Sequence, residues 1–373
     1  MTTLVGVEPS TSLQVGVVGY GYATRTFHAP LLHSVPGLRL AAVCTRSPEA
    51  LRADWPAVQA VATAEELVRR PELDLVVIAT PNDSHAQLAT LALGAGKHVV
   101  VDKPFTLNVA EARQLAALAR RQGRVLSVFH NRRWDADFLT VRRVVGAGDL
   151  GRVVHFESHF DRHRPIVRAR WREQAGPGAG LWVDLGAHLV DQAVQLFGMP
   201  QAIWLDTARQ RDGAQTEDWF HALLRYDELR VILHSSLVSS QPAPRFAVHG
   251  LRGTLIKRGV DPQEAALRAG QLATAPGWGV DPEPFELTTW PSVEDAATTA
   301  GGATPAAATP EVRHLRGEPG DYRAYYAALR EAVLGRAPVP VAAEEALAVM
   351  TLLELGQRSA AQRRELEVAP GAA

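Results

Sequence analysis

The sequence predicts an α/β protein made of two domains. Three observations indicate this fold. Short apolar runs alternate with amphipathic segments as far as about residue 130, a Gly-x-Gly turn follows the first of these runs, and the pattern changes to alternating strands after Gly151. A length of 373 residues also exceeds that of one typical domain. We expect the first domain to span residues 1–132 and the second to span residues 133–373.

The N-terminal apolar runs predict a doubly wound parallel sheet. They read LQVGVVG, LRLAAVC, LDLVVIAT, HVVVD and RVLSVFH, at residues 13–19, 38–44, 73–80, 98–102 and 124–130. Nearly continuous Val, Ile and Leu runs are typical of strands buried on both faces. The segments SHAQLATLALGAG and NVAEARQLAALARRQG between them have helical periodicity and end in glycine, as helices commonly do. Residues 1–132 therefore predict a dinucleotide-binding domain of the Rossmann type.

The second domain is predicted to be α+β, with a large, open and mostly antiparallel sheet. Its strand patterns include RVVHFESHFDRHR and FHALLRYDELRVILHSSLV, in which Asp227 and Glu228 form a tight turn. We expect helices at 178–198, 320–335 and 343–364, the last two packing partly on the first domain, and a low-complexity loop at 292–319. An open sheet leaves an apolar face that needs cover, which predicts a homodimer or a homotetramer.

Composition excludes several classes of function. The net charge is −1 and no block of basic residues is present, which argues against a nucleic-acid surface. The single cysteine, Cys44, excludes an internal disulfide and a multi-cysteine zinc site. The first dozen residues lack the pattern of a signal peptide, and no apolar stretch approaches a membrane span. We therefore expect a cytoplasmic protein without a membrane partner.

Lysine is rare in this chain, and one lysine stands at the end of a strand. Of 39 basic residues, only Lys97, Lys103 and Lys257 are lysines. Lys97 and Lys257 occur where any solvated cation would serve. Lys103 follows the buried run HVVVD, and unlike arginine a lysine is able to release a proton. This position makes Lys103 a candidate functional residue.

The turn after the first strand is a candidate phosphate-binding loop. Gly19, Tyr20 and Gly21 lie between a strand and a helix, and Thr24 replaces the third glycine of the usual fingerprint. The second strand ends in Thr45 and Arg46 instead of a carboxylate. A hydroxyl and a guanidinium suit a 2′-phosphate, so NADP is favoured over NAD. The alternative is that Arg46 is an ordinary exposed loop residue.

A second candidate cluster lies in the segment GLWVDLGAHLVDQ. Asp184, His188 and Asp191 are spaced at i, i+4 and i+7, so in a helix they share one face. An Asp beside a His is typical of an imidazole that transfers a proton. The alternative is a histidine in a buried structural network. No further ligand is spaced to complete a metal site, so no metal is expected.

Several motifs together resemble the glucose-fructose oxidoreductase/inositol dehydrogenase (Gfo/Idh/MocA) family. They are GYGYATRTFHAPLL, ATPNDSH, GKHVVVDKPF, FHNRRWDADFLTVR, RWRE and DLGAHLVDQ, and they occur over nearly the whole chain. The further matches NRRWDADFLT, RHRP, ARWREQ and ALRAG are most similar to the branch that contains NADP-dependent scyllo-inositol dehydrogenases. The resemblance implies hydride transfer between NADP and a secondary alcohol of a cyclitol or a sugar.

The resemblance also implies roles for individual residues. Lys103 would contact the substrate oxygen, His188 would take a proton and Asp184 would orient the imidazole, although the sequence leaves open whether Lys103 or His188 is the base. Besides Gly19, Gly21, Thr45 and Arg46, the residues implied to contact the cofactor are Tyr20, Tyr22, Thr80, Pro81, Asn82, His85, Asp102, Asn131, Arg132, Trp171 and Arg172. Asp102 stands where the family commonly has Glu, and Trp171 has a core aromatic as its alternative.

Two other functions are compatible with the same family resemblance. Some relatives retain the cofactor and recycle it during lyase or glycosidase chemistry. A nucleotide-binding sensor without catalysis is the other alternative, and the presence of Lys103, Asp184 and His188 argues against it.

Overall fold

The structure, a computed structural model, describes residues 12–168, 173–290, 310–369 and 371. Six parallel strands form the first sheet, in the order β3-β2-β1-β4-β5-β6. They are β1 (Leu13–Val18), β2 (Leu38–Cys44), β3 (Gln59–Val61), β4 (Leu75–Ile78), β5 (His98–Val101) and β6 (Leu126–Val128). Each predicted run contains a strand, so the prediction of a doubly wound sheet is confirmed. The sequence did not predict β3, a three-residue edge strand whose first residue is exposed.

Helices cover this sheet and end where the sequence indicates. They are α1 (Ala29–Ser34), α2 (Pro48–Asp54), α3 (Ala64–Val68), α4 (His85–Gly94) and α5 (Val109–Gln122). At the start of α5 the Asn108 side chain accepts a hydrogen bond from the backbone N–H of Glu111 at 2.9 Å. At its end Gly123 has a φ of +60°, which is the left-handed conformation that glycine adopts easily.

The second sheet has nine strands and is mostly antiparallel, as predicted. They are β7 (Val153–His159), β8 (Ala202–Ala208), β9 (Trp219–Arg225), β10 (Arg230–Ser236), β11 (Phe246–Gly250), β12 (Gly253–Lys257), β13 (Phe285–Thr289), β14 (Glu311–Leu315) and β15 (Leu366–Glu367). Their order is β14-β13-β12-β11-β7-β10-β9-β8-β15, and only β7 and β10 pair in parallel.

The prediction of a loop over residues 292–319 is wrong for residues 311–315. Residues 311–315 form β14, which pairs with β13 at the edge of the sheet. The segment EVRHL is almost entirely exposed, so it lacks the apolar alternation that would mark a strand in the sequence. Residues 292–309 of that loop, like the first eleven residues, lie outside the described part of the chain.

Five described helices belong to the second domain. They are α6 (Ala136–Ala147), α7 (Ala187–Phe197), α8 (Gln263–Arg268), α9 (Arg323–Val333) and α10 (Ala343–Gln362), and a π-helical segment at Trp182–Gly186 leads into α7. α10 packs against β8, α7 and α5. Ser127 on β6 donates to the carbonyl of Val341 at 2.8 Å and hydrogen-bonds the Tyr325 hydroxyl at 2.9 Å. The domain boundary at residue 132 stays a prediction. None of the described helices is long and apolar enough to cross a membrane.

The expectation that Lys97 and Lys257 are solvated is wrong. The Lys97 ammonium is buried and donates to the carbonyls of Arg70 and Leu73 at 2.7 and 2.8 Å. Lys257 is fully buried, and its Nζ lies 2.9 Å from the carboxylate of Asp281. The partners lie more than 20 residues away along the chain, so local sequence gave no sign of them.

Candidate active site

The loop after β1 has the shape that a pyrophosphate requires. Gly19 has a φ of +99°, and a Cβ atom there would lie 2.4 Å from the carbonyl oxygen of Ala79, so only glycine fits. A Cβ atom on Gly21 would meet no heavy atom within 4 Å, which leaves open space in front of the loop. Thr24 is buried, and its hydroxyl donates to the Gly19 carbonyl at 2.7 Å. The open space borders the start of a helix, where free N–H groups favour an anion.

The end of β2 carries no carboxylate. Thr45 accepts a hydrogen bond from the backbone N–H of Ser47 at 2.9 Å, which fixes the turn. Arg46 is exposed, and it forms no hydrogen bond or ion pair with any residue that the structure describes. Its guanidinium is therefore available to a ligand bound over the edge of the first sheet.

The loop after β4 links the two domains. Asn82 donates to the carbonyl of Gly178 in the second domain at 2.8 Å, and the hydroxyls of Thr80 and Ser84 lie 2.6 Å apart. Pro81 precedes Asn82 in the same turn. His85 is fully buried, and its ring nitrogens lie 2.9 and 3.0 Å from the carbonyl oxygens of Pro104 and Thr80. His85 thus supports the loop from beneath and does not face the cavity.

Lys103 lies between the two domains. Its Nζ donates to the Oδ1 atom of Asp184 at 2.6 Å and to the Asp184 carbonyl at 2.8 Å. Asp102 accepts the backbone N–H of Lys103 at 2.7 Å, and its other oxygen lies 3.7 Å from Nε2 of His28. Burial alone would raise the pKa of Asp102, but His28 and Lys103 hold that pKa below its usual range. The shorter Asp therefore fixes the Lys103 backbone, while Asp184 holds the ammonium.

His188 lies near Lys103 as a neutral imidazole. Burial and the charges of Lys103 and Arg132 hold the pKa of His188 well below its ordinary value. Its Nδ1 atom is buried and has no hydrogen-bond partner among the described residues. Among the described residues, Asp184 is paired with Lys103, and no hydrogen bond or ion pair joins Asp184 to His188, so the expected pairing is not seen there. The π-helical turn at Trp182–Gly186 has a wider repeat than an α-helix, so an i, i+4 spacing no longer aligns the two side chains.

Asp191 has a structural environment. Both of its oxygens accept hydrogen bonds from Arg133, at distances of 2.6 to 3.2 Å. Both side chains are buried, so this pair holds α7 against the segment that follows β6. Of the three residues at i, i+4 and i+7, only Asp184 and His188 line the cavity.

A cavity of about 500 Å³ lies where the carboxyl ends of the parallel strands face the second sheet. The sequence-predicted residues that line it are Tyr22, Asp102, Lys103, Asn131, Arg132, Asp184 and His188. Its size is in the usual range for a small-molecule site. Tyr20 and Gly21 line an adjoining pocket, where the Tyr20 hydroxyl donates to Asp54 at 2.7 Å. Trp171 and Arg172 lie outside the described residues.

Sequence reasoning missed the charged residues that the second domain contributes. Those lining the cavity are Arg162, Arg164, Arg168, Glu173, Arg211, Glu217, Glu264 and Arg268. Glu264 accepts from the Tyr22 hydroxyl at 2.7 Å and from Arg132 at 2.6 Å, so it joins the two domains. Two motifs noted above, RHRP and ALRAG, contain or adjoin several of these residues. Their position in the site depends on long-range packing.

The fold and the site define a two-domain protein with a dinucleotide-binding sheet. The NAD-binding Rossmann-fold model of an oxidoreductase family matches residues 13–130, and that family's C-terminal alpha/beta domain matches residues 142–368. The chain belongs to the Gfo/Idh/MocA oxidoreductase family, which confirms the resemblance seen in the sequence.

Similar proteins include both curated relatives and solved structures. The uncharacterized oxidoreductase YdgJ of Escherichia coli is 49% identical, covering 96% of this chain and 99% of its own. The scyllo-inositol 2-dehydrogenase (NADP(+)) IolW of Bacillus subtilis is 35% identical, covering 98% and 99%. A solved oxidoreductase from Bacillus cereus is 30% identical, with a TM-score of 0.85 over 96% of this chain and 99% of its own. All three matches extend over nearly the whole length of this chain.

Proposed function

We propose that this protein is an NADP-dependent dehydrogenase that oxidises a secondary alcohol of a cyclitol or a sugar. One observation carries the proposal. An ammonium held by a carboxylate, Lys103 with Asp184, lines the same cavity as the neutral imidazole of His188, next to an open glycine turn. The name of the Bacillus subtilis relative, a scyllo-inositol 2-dehydrogenase that uses NADP, supports the substrate class and the cofactor.

The catalytic roles follow from the protonation states of the two groups. Lys103 is ion-paired with Asp184, so it would donate a hydrogen bond to the substrate oxygen and stabilise negative charge there. His188 is a neutral imidazole, so it would accept the hydroxyl proton. Asp184 would position the ammonium of Lys103. This differs from the sequence-based expectation, in which Asp184 orients the imidazole of His188. NADP, held by the residues around the first sheet, would supply the hydride acceptor for the carbon that carries the hydroxyl.

The residues around the first sheet fit a dinucleotide. Gly19 and Gly21 would lie under the pyrophosphate, and Thr45 and Arg46 would contact the 2′-phosphate. We propose that Tyr20, Tyr22, Thr80, Pro81, Asn82, Asn131 and Arg132 line the cleft that holds the cofactor. We propose only supporting roles for Asp102 and His85, because both bind the backbone of neighbouring loops.

A substrate screen tests the proposed function. Purified protein is incubated with NADP or NAD and a panel of cyclitols and aldoses, and the nicotinamide absorbance is followed. We expect NADP reduction with at least one cyclitol or sugar, and substrate-dependent loss of that signal in Lys103→Met. Product formation over many turnovers without added cofactor would favour the retained-cofactor lyase or glycosidase. Tight NADP binding with no reduction by any polyol would favour the sensor.

We also propose a homodimer or homotetramer in the cytoplasm. Trp204, Trp219 and Ile232 are only partly buried on the face of the second sheet that is opposite to α7 and α10. A second copy would cover this face. A chain with one cysteine is compatible with a reducing compartment. Light scattering at several concentrations would measure the assembly, and a strictly monomeric mass would contradict it.

A further inference from the structure

We infer that His159, Asp161 and His234 form a binding site for a divalent transition-metal ion, for which Zn²⁺ fits best. The three side chains lie outside the residues that line the candidate active-site cavity. His159 and His234 occupy β7 and β10, the two parallel neighbours at the centre of the second sheet, and Asp161 follows β7. The inference does not depend on the proposed dehydrogenase activity.

The three ligand atoms all lie within 4.8 Å of one another, close to the separation that a metal requires. His159 and His234 are register partners, and their rings are 5.2 Å apart. Nδ1 of His159 lies 3.8 Å from Oδ2 of Asp161, and Nε2 of His234 lies 3.6 Å from Oδ1 of Asp161. Bonds of about 2.1 Å to a tetrahedral ion place ligand atoms roughly 3.4 Å apart. Small side-chain rotations would therefore bring the three groups onto one ion.

The spacing is too wide for direct hydrogen bonds within the cluster. Distances of 3.6 and 3.8 Å exceed the usual range of about 2.7 to 3.2 Å for an N–H donor and a carboxylate. The buried Nδ1 of His159 has no hydrogen-bond partner among the described residues. The Asp161 carboxylate is 4% exposed and faces two imidazoles. A cation bound between the three groups would balance its negative charge.

Neighbouring groups orient two of the three ligands, His159 and Asp161, as in known metal sites. Nε2 of His159 lies 2.9 Å from Oε2 of Glu157, a carboxylate that can only accept, so in the metal-binding form Nε2 would donate there and Nδ1 would face Asp161 with its lone pair. Metal-binding histidines commonly donate their other ring N–H to a carboxylate in this manner. The backbone N–H of Ser236 donates to Oδ1 of Asp161 at 3.0 Å, which fixes the carboxylate.

The donor set determines the kind of metal. Two imidazoles and one carboxylate favour Zn²⁺, Co²⁺ or Ni²⁺ over Mg²⁺ and Ca²⁺, which prefer oxygen ligands. Three protein ligands leave a fourth position for water. The sequence did not suggest the site because the ligands come from strands that are more than 70 residues apart in the chain.

A metal at this position would fix the start of the segment that leads to the cavity. Arg162 and Arg164 follow Asp161 and line the cavity, and their backbone N–H groups donate to the carbonyls of Ser236 and Leu237 at 2.8 and 2.7 Å. An ion bound by Asp161 and His234 would add a link between this segment and β10. The expected role is structural, so the ion would stabilise the folded protein.

Metal titration of the full-length, tag-free chain tests the inference. The protein is treated with a chelator, and Zn²⁺ or Co²⁺ binding is measured by calorimetry and by metal analysis after dialysis. We expect one bound ion per chain and a zinc-dependent rise in melting temperature. His159→Gln, Asp161→Asn and His234→Gln should each weaken binding by about 10-fold or more, and Glu157→Gln should weaken it by roughly 10-fold.

Two controls make the result specific. His249→Gln alters a histidine on the same sheet that hydrogen-bonds Thr254, and it should leave the affinity unchanged. Asp161→Asn keeps an oxygen for the Ser236 N–H, so it separates loss of metal from loss of folding, which the melting temperature without metal reports. The inference is overturned by absence of saturable binding in the wild type, or by binding that His249→Gln reduces as much as His234→Gln does.

Discussion

Nζ of Lys103 lies 2.6 Å from Oδ1 of Asp184, and this ion pair joins the segment after the carboxyl end of β5 to the π-helical turn that leads to His188. The two side chains are 81 residues apart in sequence and only partly exposed. A lysine can therefore stand at the end of a buried strand because the second domain supplies its counter-ion. The same contact sets the position of the ammonium in the cavity.

Lys103→Met should abolish most of the chemistry and leave cofactor binding nearly intact. A positioned proton donor or acceptor contributes roughly 10²- to 10⁴-fold to the rate. Lys103→Arg should restore little, because a wide guanidinium keeps the charge but not the shape. The measurement is single-turnover hydride transfer, with cofactor affinity titrated separately by fluorescence.

His188→Ala provides the comparison for Lys103→Met. Its loss should be of similar size, and the double variant should lose less than the product of the two effects if both groups act on one substrate oxygen. Wild-type turnover in Lys103→Met would contradict the mechanism. Lost cofactor binding with normal turnover at saturation would make Lys103 a structural cation.

The pH dependence of kcat/KM should report the lowered pKa of His188. The ordinary value is 6.5, and burial beside Lys103 and Arg132 lowers it. A base must be neutral to accept a proton, so activity should persist as the pH falls through 6.5 and decline only below it. A decline centred at or above 6.5 would contradict the assignment of His188 as the proton acceptor.

The pH dependence of the free energy of unfolding should also report the lowered pKa of His188, without any measurement of activity. Because the folded state holds His188 neutral, the unfolded chain binds more protons once the pH falls below 6.5. The free energy of unfolding should therefore decrease in acid, by at most about 1.4 kcal/mol per pH unit for this histidine. His188→Gln should reduce that slope in urea unfolding at several pH values. His130, whose pKa burial also lowers, keeps part of the slope in the variant.

The sequence predicts local features of this fold well. The β-branched runs, the helix from Val109 to Gln122 and the turn at Gly19 depend on residues near one another in the chain, and each lies where the pattern placed it. Hydrophobic period and capping chemistry act over a few residues, so a single sequence contains them. The sequence does not predict the edge strand Glu311–Leu315, because its side chains are almost all exposed and show no apolar alternation.

Charge pairing across the fold could not be predicted from the sequence. Local spacing predicts that Asp184 pairs with His188. In the folded protein Asp184 instead accepts a hydrogen bond from Lys103. Glu264 belongs to the site because Tyr22 and Arg132, which lie 242 and 132 residues away in the chain, donate hydrogen bonds to it. Partners of buried charges are selected by folding and desolvation over the whole chain, which spacing alone does not encode.

The buried ion pair of Lys257 and Asp281 tests how much it costs to leave a buried charge without its counter-ion. Asp281→Ala leaves the fully buried ammonium of Lys257 without its counter-ion, which should lower the free energy of unfolding by roughly 3 to 5 kcal/mol. Arg120→Ala removes an exposed ion pair in which the guanidinium lies 2.6 Å from the Glu344 carboxylate. This change should lower the free energy of unfolding by about 1 kcal/mol or less. Urea unfolding compares the two, and equal losses would show that burial of Lys257 carries no special penalty.

Arg46→Ala should reduce the preference for NADP over NAD. No carboxylate ends β2, and the exposed Arg46 forms no bond with any described residue, so its guanidinium is free to contact a 2′-phosphate. A charge-assisted hydrogen bond contributes about 1.5 to 3 kcal/mol, so kcat/KM for NADP should fall roughly 10- to 100-fold while that for NAD changes little. Arg52→Ala, an exposed arginine on α2, serves as the control and should change neither value. Equal use of both cofactors by the wild type would contradict the assignment. So would an equal loss for both in Arg46→Ala, because the 2′-phosphate is the only group that distinguishes the two cofactors.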